Sequence, residues 1–366
     1  MSNTKNNLVE EYDVTRVIAL ILVVLGHCSY YSILTNYGGI DYLGIMKIMY
    51  IDDTMIHKIL SNIVYVIYSF HMPLFVALSG ALFFMQFSRN KFNLLSDLAK
   101  NKFFKLIIPF FLITLCYSVP IKLISGYYNN LNFSKIVKDI ILGQFLLMGN
   151  SHLWYLPSLF IDFIIIYLIE KYCYRLTRIK IILLILIHFI SFKIPIALIE
   201  NPLKYAIWFY MGYKFEERRL TYNQYIKENK LPLIICIFIF ILSVLLKKTI
   251  VSSSSINLIL KEILNCFCAV SGSFIVYNIS YLITVKTEIM NNKHIKELLI
   301  NSFGIYLYSD PINYLVLFLF FKILTIYSFG NEILAFVIFL SRLILTVAIS
   351  LFISKLLKKR KVKYIC

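Results

Sequence analysis

The sequence predicts an all-α, polytopic membrane protein with about ten transmembrane helices and both termini in the cytoplasm. Composition points there first: of 366 residues, 60% are hydrophobic and only 15% charged, and mean hydropathy is +0.77. Soluble domains are closer to half apolar and a quarter charged. Repeated apolar runs of about twenty residues are long enough to cross a bilayer as helices. These runs are continuous rather than alternating, which excludes an outer-membrane barrel.

The spans follow in order. The first, Tyr12–Leu34 (YDVTRVIALILVVLGHCSYYSIL), is apolar yet carries Arg16 and His27. Ten residues separate them, about 16 Å along a helix axis, so Arg16 is expected near one membrane face and His27 a little past the midplane. Leu60–Phe87, Phe103–Ser125, His152–Glu170 and Ile179–Ile199 come next, then a short, weak Pro202–Phe215. Leu231–Leu246, Leu258–Val285, Asn301–Leu324 and Ile333–Leu357 complete the ten. Between spans, Thr35–Ile59 carries Asp41, Asp52 and Asp53, and Gly126–Ser151 contains FSKIVKDIILGQFLLMG, whose helical periodicity predicts a short interfacial helix. No internal repeat is visible, so residues 1–366 are expected to form one membrane domain without a separate extracellular domain.

Net charge is +18, from 37 Lys+Arg against 19 Asp+Glu. Placing the N-terminus inside puts 24 of the 37 basic residues on inner loops and tails and 11 on the outer side, with Arg16 and Arg342 intramembrane. That asymmetry orients the chain and explains the basicity through anionic lipid headgroups rather than nucleic acid. The seven cysteines are scattered, and Cys266 and Cys268 are the only close pair. With no CxxC and no Cys/His spacing, neither structural disulfides nor a metal is expected. The first apolar core is too long for a cleavable signal.

Ionisable residues at bilayer depth demand partners, and function is their default explanation. His27, His71, Asp162, His188, Asp310 and Arg342 fall at comparable depths, which predicts a shared polar cavity. Each has a plainer reading. His71 precedes Met72-Pro73 and is placed to cap carbonyls freed by a proline kink. His188, in LLILIHFISF, reads as a helix-packing hydrogen bonder, and Arg342 as a structural partner for an aspartate. Ser79-Gly80 permits close helix approach. Histidine with carboxylates in a wet cavity suits general base catalysis on a hydroxyl. No P-loop, dinucleotide fingerprint or GxSxG is present. Basic residues at the inner face suit a phosphorylated cytoplasmic donor.

The chain resembles the acyltransferase-3 family of integral membrane O-acyltransferases, in particular its fucose 4-O-acetylase-like, surface-polysaccharide branch. Arg16-x10-His27 followed by Cys28-Ser29 matches the family's first-span pattern. Phe70–Gly80 (FHMPLFVALSG) matches the second-span motif and His152–Phe160 (HLWYLPSLF) the fourth. KFFKLIIP resembles the basic stretch before the third span, and SFGIYLYSDPI the ninth-span motif. The family often has arginine where Lys102 and Lys105 stand, and many members end the ninth motif in histidine rather than Ser309-Asp310.

The resemblance implies transfer of an acyl group, usually acetyl, from cytoplasmic acyl-CoA to a hydroxyl of a surface polysaccharide or lipid-linked glycan. It implies a catalytic His27 with Arg16 as essential partner. His71, Asp162, Asp310 and Ser309 are candidate catalytic support, and Arg16, Lys102 and Lys105 candidate CoA ligands. Acetyl-CoA is expected as donor substrate, with no retained cofactor. The expected setting is the plasma or inner membrane, with a homo-oligomer compatible. The rival readings are a glycan or lipid-linked-sugar transporter or flippase, which usually shows repeat symmetry, and a non-catalytic polysaccharide export partner.

Overall fold

Among the described residues a helix of 15 residues or more overlaps each of the ten apolar runs, and the helix ends follow local chemistry. A computed structural model describes residues 9–35, 38–128, 131–148, 152–173, 175–251 and 254–360. We number the helices α1 (Glu10–Cys28), α2 (Met55–Phe87), α3 (Leu95–Ile124), α4 (His152–Tyr172) and α5 (Thr177–Ser191). Then come α6 (Ala197–Glu216), α7 (Leu231–Thr249), α8 (Ser255–Lys286), α9 (Lys293–Ile323) and α10 (Glu332–Lys359).

Seven of these, α2–α4 and α7–α10, are long and apolar enough to cross a membrane. The other three fall short for visible reasons. Helix α1 opens with Glu10, Glu11, Asp13 and Arg16; α5 has 15 residues; and α6 carries Glu200, Lys204, Lys214 and Glu216. The outward face of α7 (Ile234, Ile235, Phe238, Ile241, Leu242 and Leu245) is exposed and apolar, a surface that only lipid covers cheaply.

Boundaries shift from the sequence expectation where side chains intervene. Helix α1 ends at Cys28, not Leu34, because the Tyr30 carbonyl is taken by Arg342 Nη2 at 2.7 Å and the chain turns into a hairpin. That hairpin pairs β1 (Ser32–Thr35) with β2 (Gly38–Asp41), the one sheet among the described residues. Asp41 then caps a short helix, Tyr42–Ile48, through the Gly44 amide at 2.9 Å. Helix α2 begins earlier than expected because Thr54 and His57 form a reciprocal capping box. In α3, Pro109 and Pro120 each lack the donor for an ordinary helical bond, and the preceding turns widen to π-type pairing over Phe103–Ile107 and Thr114–Ser118. Helix α5 stops at Ser191, ahead of Pro195. The interfacial segment is helical over Phe133–Phe145.

Packing centres on two helices. Helix α1 lies against α8, α9, α10 and the second half of α2, while α6 lies against α2, α4 and α5. The α2–α6 crossing rests on glycine. A Cβ on Gly80 would meet the Phe209 carbonyl at 1.9 Å, and one on Gly212 the Ala77 carbonyl at 1.8 Å. At one end of the bundle, Arg219 ion-pairs with Glu11 and Glu216, while Asn223 donates to Glu11 at 2.8 Å and accepts from Tyr277 at 2.7 Å. This clasp ties the start of α1 to α6 and α8. At the opposite end, Tyr31, Ile40, Tyr42, Met46, Tyr127 and Phe329 form an aromatic cap over α1, α9 and α10.

Candidate active site

Helical spacing places Arg16, Leu20, Val23 and His27 on one stripe of α1, and Ser302, Phe303, Tyr306 and Asp310 on one stripe of α9. The two stripes meet at His27 and Asp310, with Nδ1 2.9 Å from Oδ1. An ionised carboxylate only accepts, so Nδ1 carries the proton and Nε2 keeps its lone pair. Asp310 is buried, while the His27 side chain is 21% exposed.

A second histidine completes the group. His152, at the first turn of α4, donates from Nε2 to the Leu307 carbonyl at 3.2 Å. Its Nδ1 then lies 3.5 Å from Asp310 Oδ2, an oxygen with no hydrogen-bond donor among the described residues. Behind the pair, Asn313 donates to the His27 carbonyl at 2.9 Å and accepts from Arg342 Nε at 3.0 Å. The Tyr68 ring packs edge-on to His27, and Gly26 makes room for it: a Cβ there would sit 2.6 Å from the ring.

One helical turn from this group, at Val23 and Tyr306, a cavity of about 250 Å³ begins and runs along the same stripes to Arg16. Leucine, valine and phenylalanine line most of it, with Ser79, Tyr155 and Tyr306 as polar points. Ser79 and Tyr155 hydroxyls are 2.8 Å apart, and Tyr306 donates to the His152 carbonyl at 2.9 Å. Arg16 is 3.7 Å from Asp13 and 30% exposed in its side chain. Beyond it lies a wider open hollow of about 780 Å³ bearing Lys100 and Lys105, which shares Leu106 and Phe303 with the Arg16 cavity.

Contrary to the depth argument, none of His27, His71, Asp162, His188, Asp310 and Arg342 lines that cavity, and of the six only His27 and Asp310 meet near its end. His71 bonds the Ile67 carbonyl through Nδ1 at 3.0 Å and packs tilted against Tyr68; it caps the helical turn before it rather than the Ser69 carbonyl that Pro73 leaves free. Asp162 is fully buried, with neither oxygen hydrogen-bonded among the described residues. Ser309 is buried beside Asp310. Lys102, expected beside Lys105 as a phosphate ligand, is buried with its ammonium 3.5 Å over the Phe163 ring. Arg342 serves Asn313 and Tyr30 rather than an aspartate. His188 faces Glu262, away from the rest. Depth along a helix says nothing of which way a side chain points, and that is where the expectation failed. The residue missed outright is His152. It opens the HLWYLPSLF motif, and its place at a span end hid it, although His27 also stands one residue from the end of α1.

A family model described as an acyltransferase domain matches residues 9–355, nearly the whole chain. The chain belongs to the acyltransferase-3 family. It is a multi-pass membrane acyltransferase, with the His27–Asp310 pair, the Arg16 cavity and the Lys100–Lys105 hollow all inside the matched region. No curated protein and no solved structure matches it.

Proposed function

We propose that this acyltransferase moves an acetyl group from cytoplasmic acetyl-CoA to a hydroxyl of a surface polysaccharide or lipid-linked glycan, working in the plasma or inner membrane with ten spans and both termini inside. The observation that carries the reading is the alignment of a basic hollow, Arg16, an apolar cavity and the His27–Asp310 pair along the facing stripes of α1 and α9.

In this reading Lys105 and Arg16 hold CoA phosphates and the apolar cavity takes the thioester arm. His27 Nε2 removes the acceptor's hydroxyl proton as that oxygen attacks the thioester carbonyl. The new C–O bond forms, the C–S bond breaks, and the proton passes from His27 to the departing sulfur. Asp310 fixes the His27 tautomer and steadies the imidazolium between the two proton transfers. Ser79, Tyr155 and Tyr306 are the hydroxyls available to the donor along the cavity.

The test compares glycan ester content by mass spectrometry in cells with and without the protein, beside thiol release from acetyl-CoA by the purified enzyme. Loss of glycan acetyl esters in its absence is the expected result. Unchanged esters together with no acceptor-dependent thiol release would overturn the reading.

A further inference from the structure

Away from the active site, His188 of α5 meets Glu262 and Cys266 of α8. His188 is 2% exposed, and its Nδ1 lies 2.7 Å from the Lys204 carbonyl of α6. A carbonyl can only accept, so Nδ1 is the protonated nitrogen. Nε2 therefore faces Glu262 Oε1 at 3.2 Å and Cys266 Sγ at 3.6 Å. A neutral imidazole would aim its lone pair between a carboxylate and a thiol, a place that a second ring proton, the Cys266 S–H or a metal ion could fill.

Three observations favour the metal. All three ligand atoms lie within 4.8 Å of one another. Tetrahedral zinc with bonds of about 2.05 Å to nitrogen, about 2.0 Å to oxygen and about 2.3 Å to sulfur has N···O and N···S edges of about 3.3 and about 3.6 Å, which are the separations found. The surroundings also match those of a metal site, where a ligating histidine passes its other N–H to a carbonyl and a ligating carboxylate is itself hydrogen-bonded. Here Lys204 supplies the carbonyl, and Asn265 Nδ2 donates to Glu262 Oε2 at 2.9 Å. Charge fits as well: Zn²⁺ with a carboxylate, a thiolate and a neutral imidazole sums to zero, suited to a membrane interior. The Lys204 ammonium, the other cation bearing on Glu262, sits 4.5 Å over the Phe192 ring.

We propose that His188, Glu262 and Cys266 bind one zinc ion, with water in the fourth position, clamping α5 to α8. Local spacing predicts no metal because the histidine stands 74 residues from the carboxylate. Only Glu262 and Cys266 share a helix, at i and i+4.

The full chain, purified in detergent and stripped with a chelator, is dialysed against Zn²⁺ or Co²⁺. One ion per chain is expected. The cobalt form should show a thiolate-to-metal charge-transfer band that is absent in Cys266→Ser and retained in Cys268→Ser. His188→Gln should weaken binding at least roughly tenfold. Zinc should also raise the Tm of the wild type, a readout that needs no variant to fold. Cobalt bound without a thiolate band, or no more metal on the wild type than on His188→Gln, would overturn the proposal and leave a proton, on His188 or Cys266, in that place.

Discussion

His27 and Asp310 make the sharpest residue-level expectation, because the 2.9 Å contact assigns a different task to each. His27→Ala should lower kcat by about 10²–10⁴-fold, the usual worth of a positioned general base. Asp310→Asn preserves shape but no longer holds the Nδ1–H tautomer. It should cut kcat by at least about 10²-fold while leaving the KM for acyl-CoA near wild type. Equal losses in kcat and protein yield would instead mark Asp310 as structural. Arg16→Ala should raise the KM for acyl-CoA roughly ten- to hundredfold, with kcat little changed. Arg16→Lys should recover part of it, since a lysine lacks the planar fork; full recovery would contradict phosphate recognition. The Arg16–His27 pairing was legible in the sequence, because ten apolar residues separate two expensive side chains. Which of Asp162 and Asp310 faces His27 was not. That choice depends on the rotation of α4 and α9 about their axes, which burial of nearly all-apolar helices leaves undetermined.

At the scale of elements, the α2–α6 crossing should be intolerant of even one methyl. A Cβ on Gly80 points at backbone rather than at a movable side chain, so Gly80→Ala must push the helices apart. Overpacking of this kind typically costs about 1–3 kcal/mol. The purified variant should show a lower Tm in thermal unfolding, and an unchanged Tm would mean the crossing is looser than described. Helix positions were largely readable from apolar runs, and the Ser79-Gly80 pair already suggested close approach. Ends were read less well. Nothing local in Tyr30–Leu34 announces that Arg342, from the last helix, stops α1 and hands the chain to a hairpin. Likewise the capping box at Thr54 and the asparagine cap at Asn292 extend α2 and α9 through polar residues that hydropathy discards.

For the whole molecule, the proposed orientation rests on the uneven spread of its basic residues. Reporter fusions at Lys100, Tyr225 and the C-terminal tail should all report the cytoplasm. An external signal from any of them would overturn the proposed cytoplasmic approach of the donor to His27. The Arg219–Glu11–Glu216 clasp and the Lys100–Lys105 hollow would then face outward with it.

The enclosure of α1 also bears on how the protein is made. This helix is made well before those that enclose it, yet it is too polar to rank among the membrane-ready spans, and Asn313, which secures its His27 end, lies 286 residues downstream. Of its other neighbours only α2 follows closely; α8, α9 and α10 come more than 200 residues later. Until they arrive, His27 waits in lipid or at the translocon without Asp310, at a cost of a few kcal/mol. A chain truncated after Lys286 should therefore be degraded in pulse-chase experiments, and supplying residues 287–366 as a separate polypeptide should rescue it. Equal half-lives for the truncated and full-length chains would show that α1 settles without them. The helix that carries His27 is thus made early but settles late, and the His27–Asp310 pair forms only once α9 is in place.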